Sequence, residues 1–163
     1  MIAAFAGLLA QAQPATLAGI SLGAGARGIA AAHAAKPIAS PWGPTWGWNA
    51  PGVGSVRVTA DQDGNVALVD VVPAATAPAI DLPAAPAFPV GAGHEKYTDA
   101  SSFVESDDCK PSGAGGACFA YTLDGGELVL QFGGDGAGPL REAIWGDRAL
   151  LVSLGIVVAG TSI

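Results

Sequence analysis

Val53–Ala60 (VGSVRVTA), Asp61–Gly64 (DQDG) and Asn65–Val72 (NVALVDVV) are the stretch whose reading decides the fold class. Two β-branched runs flank a short polar turn ending in Asp-Gly, the composition of a β-hairpin. Val56 and Val58 alternate with Arg57 and Thr59, which predicts one buried face and one wet face. A hairpin this clear predicts a mainly β chain: a small antiparallel β-sandwich or a barrel-like domain.

Working outward, Cys118–Leu123 and Glu127–Phe132 read as a second hairpin across Asp124-Gly125-Gly126, and Ser102–Ser106 as a further strand. Gly133–Gly138 reads as a loop. Pro139–Trp145 reads as one or two helical turns, with Pro139 at the first helical position. Leu150–Ile163 reads as one strand bent at Gly155, or as two short strands. Residues 91–163 thus form a β-rich C-terminal region. Before it, residues 73–90 carry Pro73, Pro78, Pro83, Pro86 and Pro89 among alanines. Proline fixes φ and lacks an N–H, so this part is expected to be an extended, polyproline-like arm or linker. Residues 37–52 are rich in Trp, Pro and Gly and read as an irregular loop. Residues 1–36 form an apolar anchoring segment. Within it Met1–Gln13 is predicted to be a short helix with Ile2, Phe5, Leu8 and Leu9 along one stripe. Two similar hairpins do not make a repeat, and no fixed period is read.

The chain has 163 residues, about one domain. Half are hydrophobic and only 13% are charged, with 24 Gly and 12 Pro. That balance excludes a charge-rich disordered tail, a coiled coil and a disulfide-dense scaffold. A net charge of -7 counts against nucleic acid as a partner. All 14 acids follow Ala60, and the first charge of any kind is Arg27. An apolar start without charges is expected to pack against other subunits. Ala32-His33-Ala34 has the look of a leader cleavage site. No base precedes the apolar run, however, and Gln11, Gln13 and Pro14 interrupt it, so an unprocessed N-terminus is expected. The glycines and Pro14 spoil a membrane span there, and Ala149–Ala159 is too short for one.

Gly19-Ile20-Ser21-Leu22-Gly23 fits the G-x-S-x-G pattern and resembles the nucleophile elbow of the α/β-hydrolases over about a dozen residues. The resemblance implies Ser21 as a nucleophile, followed by an acid and then a histidine. Only 20 residues precede Ser21, too few for the strands that build such an elbow, and His94 is the only histidine after an acid. Gly23-Ala24-Gly25-Ala26-Arg27-Gly28 fits the dinucleotide-binding G-x-G-x-x-G, but no acid occurs before Asp61 to hold a ribose. No cofactor is expected. His94, Glu95 and Asp99 cluster in Gly93–Ala100, which reads as a solvated polar loop and not a metal site.

Cys109 and Cys118 flank a Gly/Ser/Pro loop between strand candidates, and a lone cysteine pair favours a disulfide over two buried thiols. Trp42, Trp46 and Trp48 crowd a loop with few aliphatic groups to bury them. Three roles are open to them: anchors at a subunit contact, caps on the open end of a β-core, or a platform for a surface glycan. Low charge, an apolar N-terminus and an extended arm suit a subunit completed by its assembly. The leading expectation is a non-enzymatic structural subunit of a multi-copy assembly. Disulfide chemistry with an uncleaved start points to a bacteriophage-like virion component, such as a minor capsid, spike or tail protein. A secreted or periplasmic β-rich carbohydrate-binding domain is the alternative, and a small serine hydrolase using Ser21 the second.

Overall fold

The computed structural model describes residues 15–110 and 116–159. The stripe of Ile2, Phe5, Leu8 and Leu9 lies outside them. The fold is mainly β and antiparallel, built of one seven-stranded sheet and three two-stranded ones, with no closed barrel and no long helix among the described residues.

The decisive hairpin is β5 (Gly54–Ala60) and β6 (Val66–Pro73), paired with Val58 opposite Val69. The second hairpin is β10 (Ala117–Leu123) and β11 (Gly126–Phe132). Two segments read otherwise complete the large sheet. Thr45–Ala50, inside the expected loop, is strand β4, and Lys36–Ile38 is the edge strand β3. Pro139–Trp145, read as helical, is strand β12 (Leu140–Gly146). In both places partner strands on the flanks override weak local propensity. The strand order is β10-β11-β12-β6-β5-β4-β3.

Apart from the additional edge strand β3, that order is palindromic about the antiparallel β6–β12 seam. Each half has the same sequence of parts. The first runs from the β1 (Thr16–Leu17) and β2 (Ile20–Ser21) hairpin through helix α1 (Ala26–Ala32) to β4, β5 and β6. The second runs from the β7 (Ala79–Leu82) and β8 (Ala85–Pro89) hairpin through helix α2 (His94–Ser101) to β10, β11 and β12. Both helices start after Gly-Ala-Gly, at Gly23–Gly25 and Gly91–Gly93. The first helical N–H of each donates to the glycine carbonyl of an Asp-Gly turn, Ala26 to Gly64 at 3.0 Å and His94 to Gly136 at 2.9 Å. Both turn glycines have positive φ, 81° and 111°, a backbone conformation glycine adopts freely. The two halves therefore repeat one arrangement of elements about a pseudo-two-fold axis at the seam, without the fixed sequence period that a repeat would show. The loops differ in length between the two halves.

Four further expectations change. The Pro/Ala arm is extended but bonds to itself: it supplies β7 and β8, and Ile80, Leu82, Ala85 and Phe88 are buried. Gly93–Ala100 is not a loop but most of α2, whose Tyr97 is buried and donates its hydroxyl to the Pro83 carbonyl at 2.9 Å. Arg148–Ser153 is helix α3, not strand, because the Asp147 side chain caps it by accepting from the Leu150 N–H at 3.1 Å. Two short strands close the description, β9 (Asp108–Cys109) and β13 (Val157–Val158), paired with each other. The expected Ser102–Ser106 strand is absent. Ser106 and Asp107 instead reach the sheet edge, where the Ser106 N–H donates to the Ala120 carbonyl at 2.9 Å.

The front face of the sheet carries the larger core. Tyr121, Leu128, Trp145, Val69, Val58 and Trp46 lie in one cross-strand row, and Phe119, Leu130, Ala143, Val71, Val56 and Trp48 in the next. The pseudo-two-fold exchanges the two rows. Both hairpins and both helices pack over them. The back face is smaller and mixed: Leu68, Ala120, Val129 and Ile144 are buried there under Leu151 and Val157. The expectation of one wet face thus fails in part, because Thr59 and Asp70 on the back are as buried as Val58 on the front.

Candidate binding site on the open sheet face

Front and back separate the tryptophans. Trp46 and Trp48 point to the front and pack half-buried on the large core, whereas Trp42 precedes β4 and packs half-buried on the back-face cluster. No single platform contains all three. The ring of His33 stacks on Trp48, centroids 4.5 Å apart and planes within 5°. Their incomplete cover has a sequence cause. Helix α1 is Ala-Arg-Gly-Ile-Ala-Ala-Ala, too thin to bury two indoles, while its counterpart α2 places Tyr97 edge-on to Tyr121 at 4.8 Å.

The most unusual chemistry lies behind them, on the back of the first half. Across β12, β6, β5 and β4 the row reads Ile144, Asp70, Arg57, Gly47. Asp70 is 1% exposed and forms an ion pair with Arg57. Its Oδ2 accepts from Arg57 Nη2, and its Oδ1 is enclosed from solvent. Burial pushes the Asp70 carboxyl up to about 7. A hydrogen bond to Glu142 and the Glu142 charge add to that, and Arg57 opposes it.

This group floors a cleft of about 160 Å³ bordered by Ile38, Ala39, Ser40, Pro41 and Trp42, with Thr45 and Thr59 on its sheet side. The Thr45 hydroxyl donates to the Gly43 carbonyl at 3.0 Å and lies 2.9 Å from the Thr59 hydroxyl. Trp42 also borders a larger, open depression of about 870 Å³ with Asp61, Gln62, Asn65 and Asp147. Both acids are already engaged: Asp61 accepts from the Asp63 and Asn65 N–H groups, and Asp147 caps α3.

A second buried acid is fully enclosed. Glu127 is 0% exposed, and its carboxylate accepts from the Thr122 hydroxyl at 2.8 Å while Arg148 holds Asp107 through two bonds at 2.9 and 3.0 Å. Burial raises the Glu127 pKa, the Thr122 bond lowers it and Asp107 raises it again. This network ties α3 to the sheet.

The remaining sequence candidates are dispersed. Ser21 stands in β2 opposite Thr16, with Leu22–Gly25 between it and α1, so it is not at a strand–helix elbow. His94 stacks on Phe119 at 3.9 Å, its Nε2 3.8 Å from Glu105. Among the described residues no three His, Cys, Asp or Glu side chains gather as metal ligands, and no helix is long and apolar enough to cross a membrane. Cys109 and Cys118 are joined, with Cα atoms 5.7 Å apart. Sequence reading passed over Asp70, although a lone acid inside a valine run, paired by hairpin register with Arg57, was the available signal. No protein-family model matches the chain, and no match is found among curated proteins or solved structures.

Proposed function

We propose that the chain is a non-enzymatic binding subunit that docks a protein partner on the back of its first half. One observation carries this reading. The second half's back face is covered by α3 and the β9–β13 pair, whereas among the described residues its pseudo-symmetric counterpart has only the 39–44 loop beside it. Exposed apolar side chains flank that open half: Ile38 at 38% and Val72 at 41%. Exposed apolar groups around a polar floor are the makings of a contact surface. The disulfide suits oxidising surroundings, in a virion or other extracellular particle or in the periplasm. A structural part in a phage-like particle remains the form of assembly proposed.

Mass measurement of native material tests the proposal. The chain should travel in a complex heavier than its 16.0 kDa. Ile38→Asp with Val72→Asp should release it as a folded monomer. A native monomer, or a complex indifferent to both substitutions, overturns the reading.

A glycan-binding role has its own supporting observation, the indole of Trp42 beside Gln62 and Asn65 in the larger depression. Aromatic faces with amide side chains suit sugar rings. Glycan binding lost on Trp42→Ala, with assembly intact, would favour that role.

A further inference from the structure

The open depression of about 870 Å³ beside Trp42 is built by both halves of the sheet. Asp61, Gln62 and Asn65 come from the turn between β5 and β6. Asp147 follows β12, and its N–H donates to the Ala67 carbonyl of β6 at 3.2 Å. Each acid is fixed through one oxygen. Asp61 Oδ1 accepts the Asp63 and Asn65 N–H groups at 2.9 and 3.0 Å, and Asp147 Oδ1 accepts the Leu150 N–H at 3.1 Å. Both residues are exposed, and among the described residues neither Oδ2 takes a hydrogen bond. The side-chain amides of Gln62 and Asn65 are likewise unbonded among them. Trp42 is the aromatic member of the lining, and no basic side chain belongs to it.

These groups define a ligand by the bonds they still have to make. Two spare carboxylate oxygens need donors, and two amide NH₂ groups need acceptors. An ammonium offers donors alone, and an anion brings acceptors next to two like charges. Adjacent sugar hydroxyls both donate and accept, and the C–H face of a pyranose fits against an indole. We propose that the depression binds a neutral pyranose, with its ring on Trp42 and its hydroxyls on Asp61, Asp147, Gln62 and Asn65, and that the two carboxylates turn acidic sugars away. The proposal rests on the glycan-binding role of Trp42 given above and adds the class of sugar. Hydroxyls bonded to the carboxylates supply the charge-assisted contacts, and repulsion from the same carboxylates supplies the discrimination.

The test is an NMR titration of the full chain with the methyl pyranosides of glucose, galactose and mannose, and with the methyl glycosides of the three corresponding uronic acids. At least one neutral glycoside should give saturable shifts at the Trp42 indole N–H, Gln62 and Asn65. The uronate of the same ring should bind at least about tenfold more weakly. Asparagine keeps a side-chain oxygen for the backbone N–H groups that Asp61 and Asp147 hold, so Asp61→Asn and Asp147→Asn preserve the turn and the cap. Each should weaken the neutral glycoside about three- to tenfold, and the double variant should lose the preference over the uronate. An unchanged preference in the double variant overturns the role of the carboxylates. Uronates that bind at Trp42 as tightly as the neutral glycosides overturn the sugar class and leave the glycan-binding role standing. No saturable shift at Trp42 with any of the six overturns both.

Discussion

On the back of the sheet one row of side chains changes character at the seam between the two halves. Ala120, Val129 and Ile144 in the second half are apolar and covered, whereas Asp70, Arg57 and Gly47 occupy the symmetry-related places in the first. The front face differs in the same sense. Tyr97, Phe88, Phe132 and Tyr121 interlock edge-to-face around the second half. Their counterparts in the first half are the alanines of α1 and two half-buried tryptophans. The comparison teaches that one repeated frame has been filled in two ways. The second copy encloses its aromatic groups more fully, and the first keeps half-buried indoles on one face and the Arg57–Asp70 ion pair on the other.

The sharpest way to break the comparison is to cut one tryptophan from each half. Trp145, 1% exposed, should lose about 3–5 kcal/mol of unfolding free energy as Trp145→Ala, and half-buried Trp46 less than about 2 kcal/mol as Trp46→Ala. Equal losses in denaturant titrations would mean that the first half is packed as tightly as the second.

The ionic group makes the next forecast. A carboxyl whose folded pKa is raised binds more protons in the folded than in the unfolded chain, so stability falls as pH rises from about 4 towards 7. The fall due to Asp70 should amount to roughly 2–4 kcal/mol, and Asp70→Asn should remove it. Glu127, also raised, adds a slope of the same sign that survives in the variant. Thermal melts across that range check both.

Reducing the disulfide should cost about 2–3 kcal/mol. The damage should be confined to the cover of the second half, because Cys109 lies in β9 and Cys118 in β10. Hydrogen exchange should accelerate at Val157 and Val158 and stay unchanged at Val56 and Val58. Acceleration in both halves would show that they unfold as one unit.

The smallest change is a gain. Gly28 lies inside α1, and a Cβ there meets nothing within 4 Å. Gly28→Ala should add about 0.5–1 kcal/mol and stiffen the thinner half.

Both central hairpins were legible in the sequence because their β-branched alternation and Asp-Gly turns are local signals. The outer strand β4 was not. Thr45–Ala50 carries Trp, Gly and Asn beside prolines and becomes a strand through pairing with β5, a contact that local reading does not supply. Strand β12 was hidden by Arg141, Glu142 and Ala143, good helix formers held extended between β11 and β6. The repeated arrangement was written twice, in Gly-Ala-Gly and in Asp-Gly, but the loops between those marks are unequal and leave no period. The tryptophans were noticed for their crowding, yet residue spacing did not reveal that Trp42 stands on the other side of the sheet from Trp46 and Trp48. Asp70 was legible only through register: once β5 and β6 pair, Arg57 falls opposite it.

Strand β3 ends the sheet with three residues, and its middle one, Pro37, lies opposite Trp46. Proline has no N–H for the ladder to β4, so it takes the outward-turned place, where the missing donor would have faced solvent. The rim therefore offers an incoming strand no amide within β3, and Ser106 and Asp107 occupy the opposite rim at β10. Growth of the sheet from molecule to molecule is blocked at both ends, the device by which β proteins escape fibre formation. Crowded copies of this chain should then resist zipping together strand to strand.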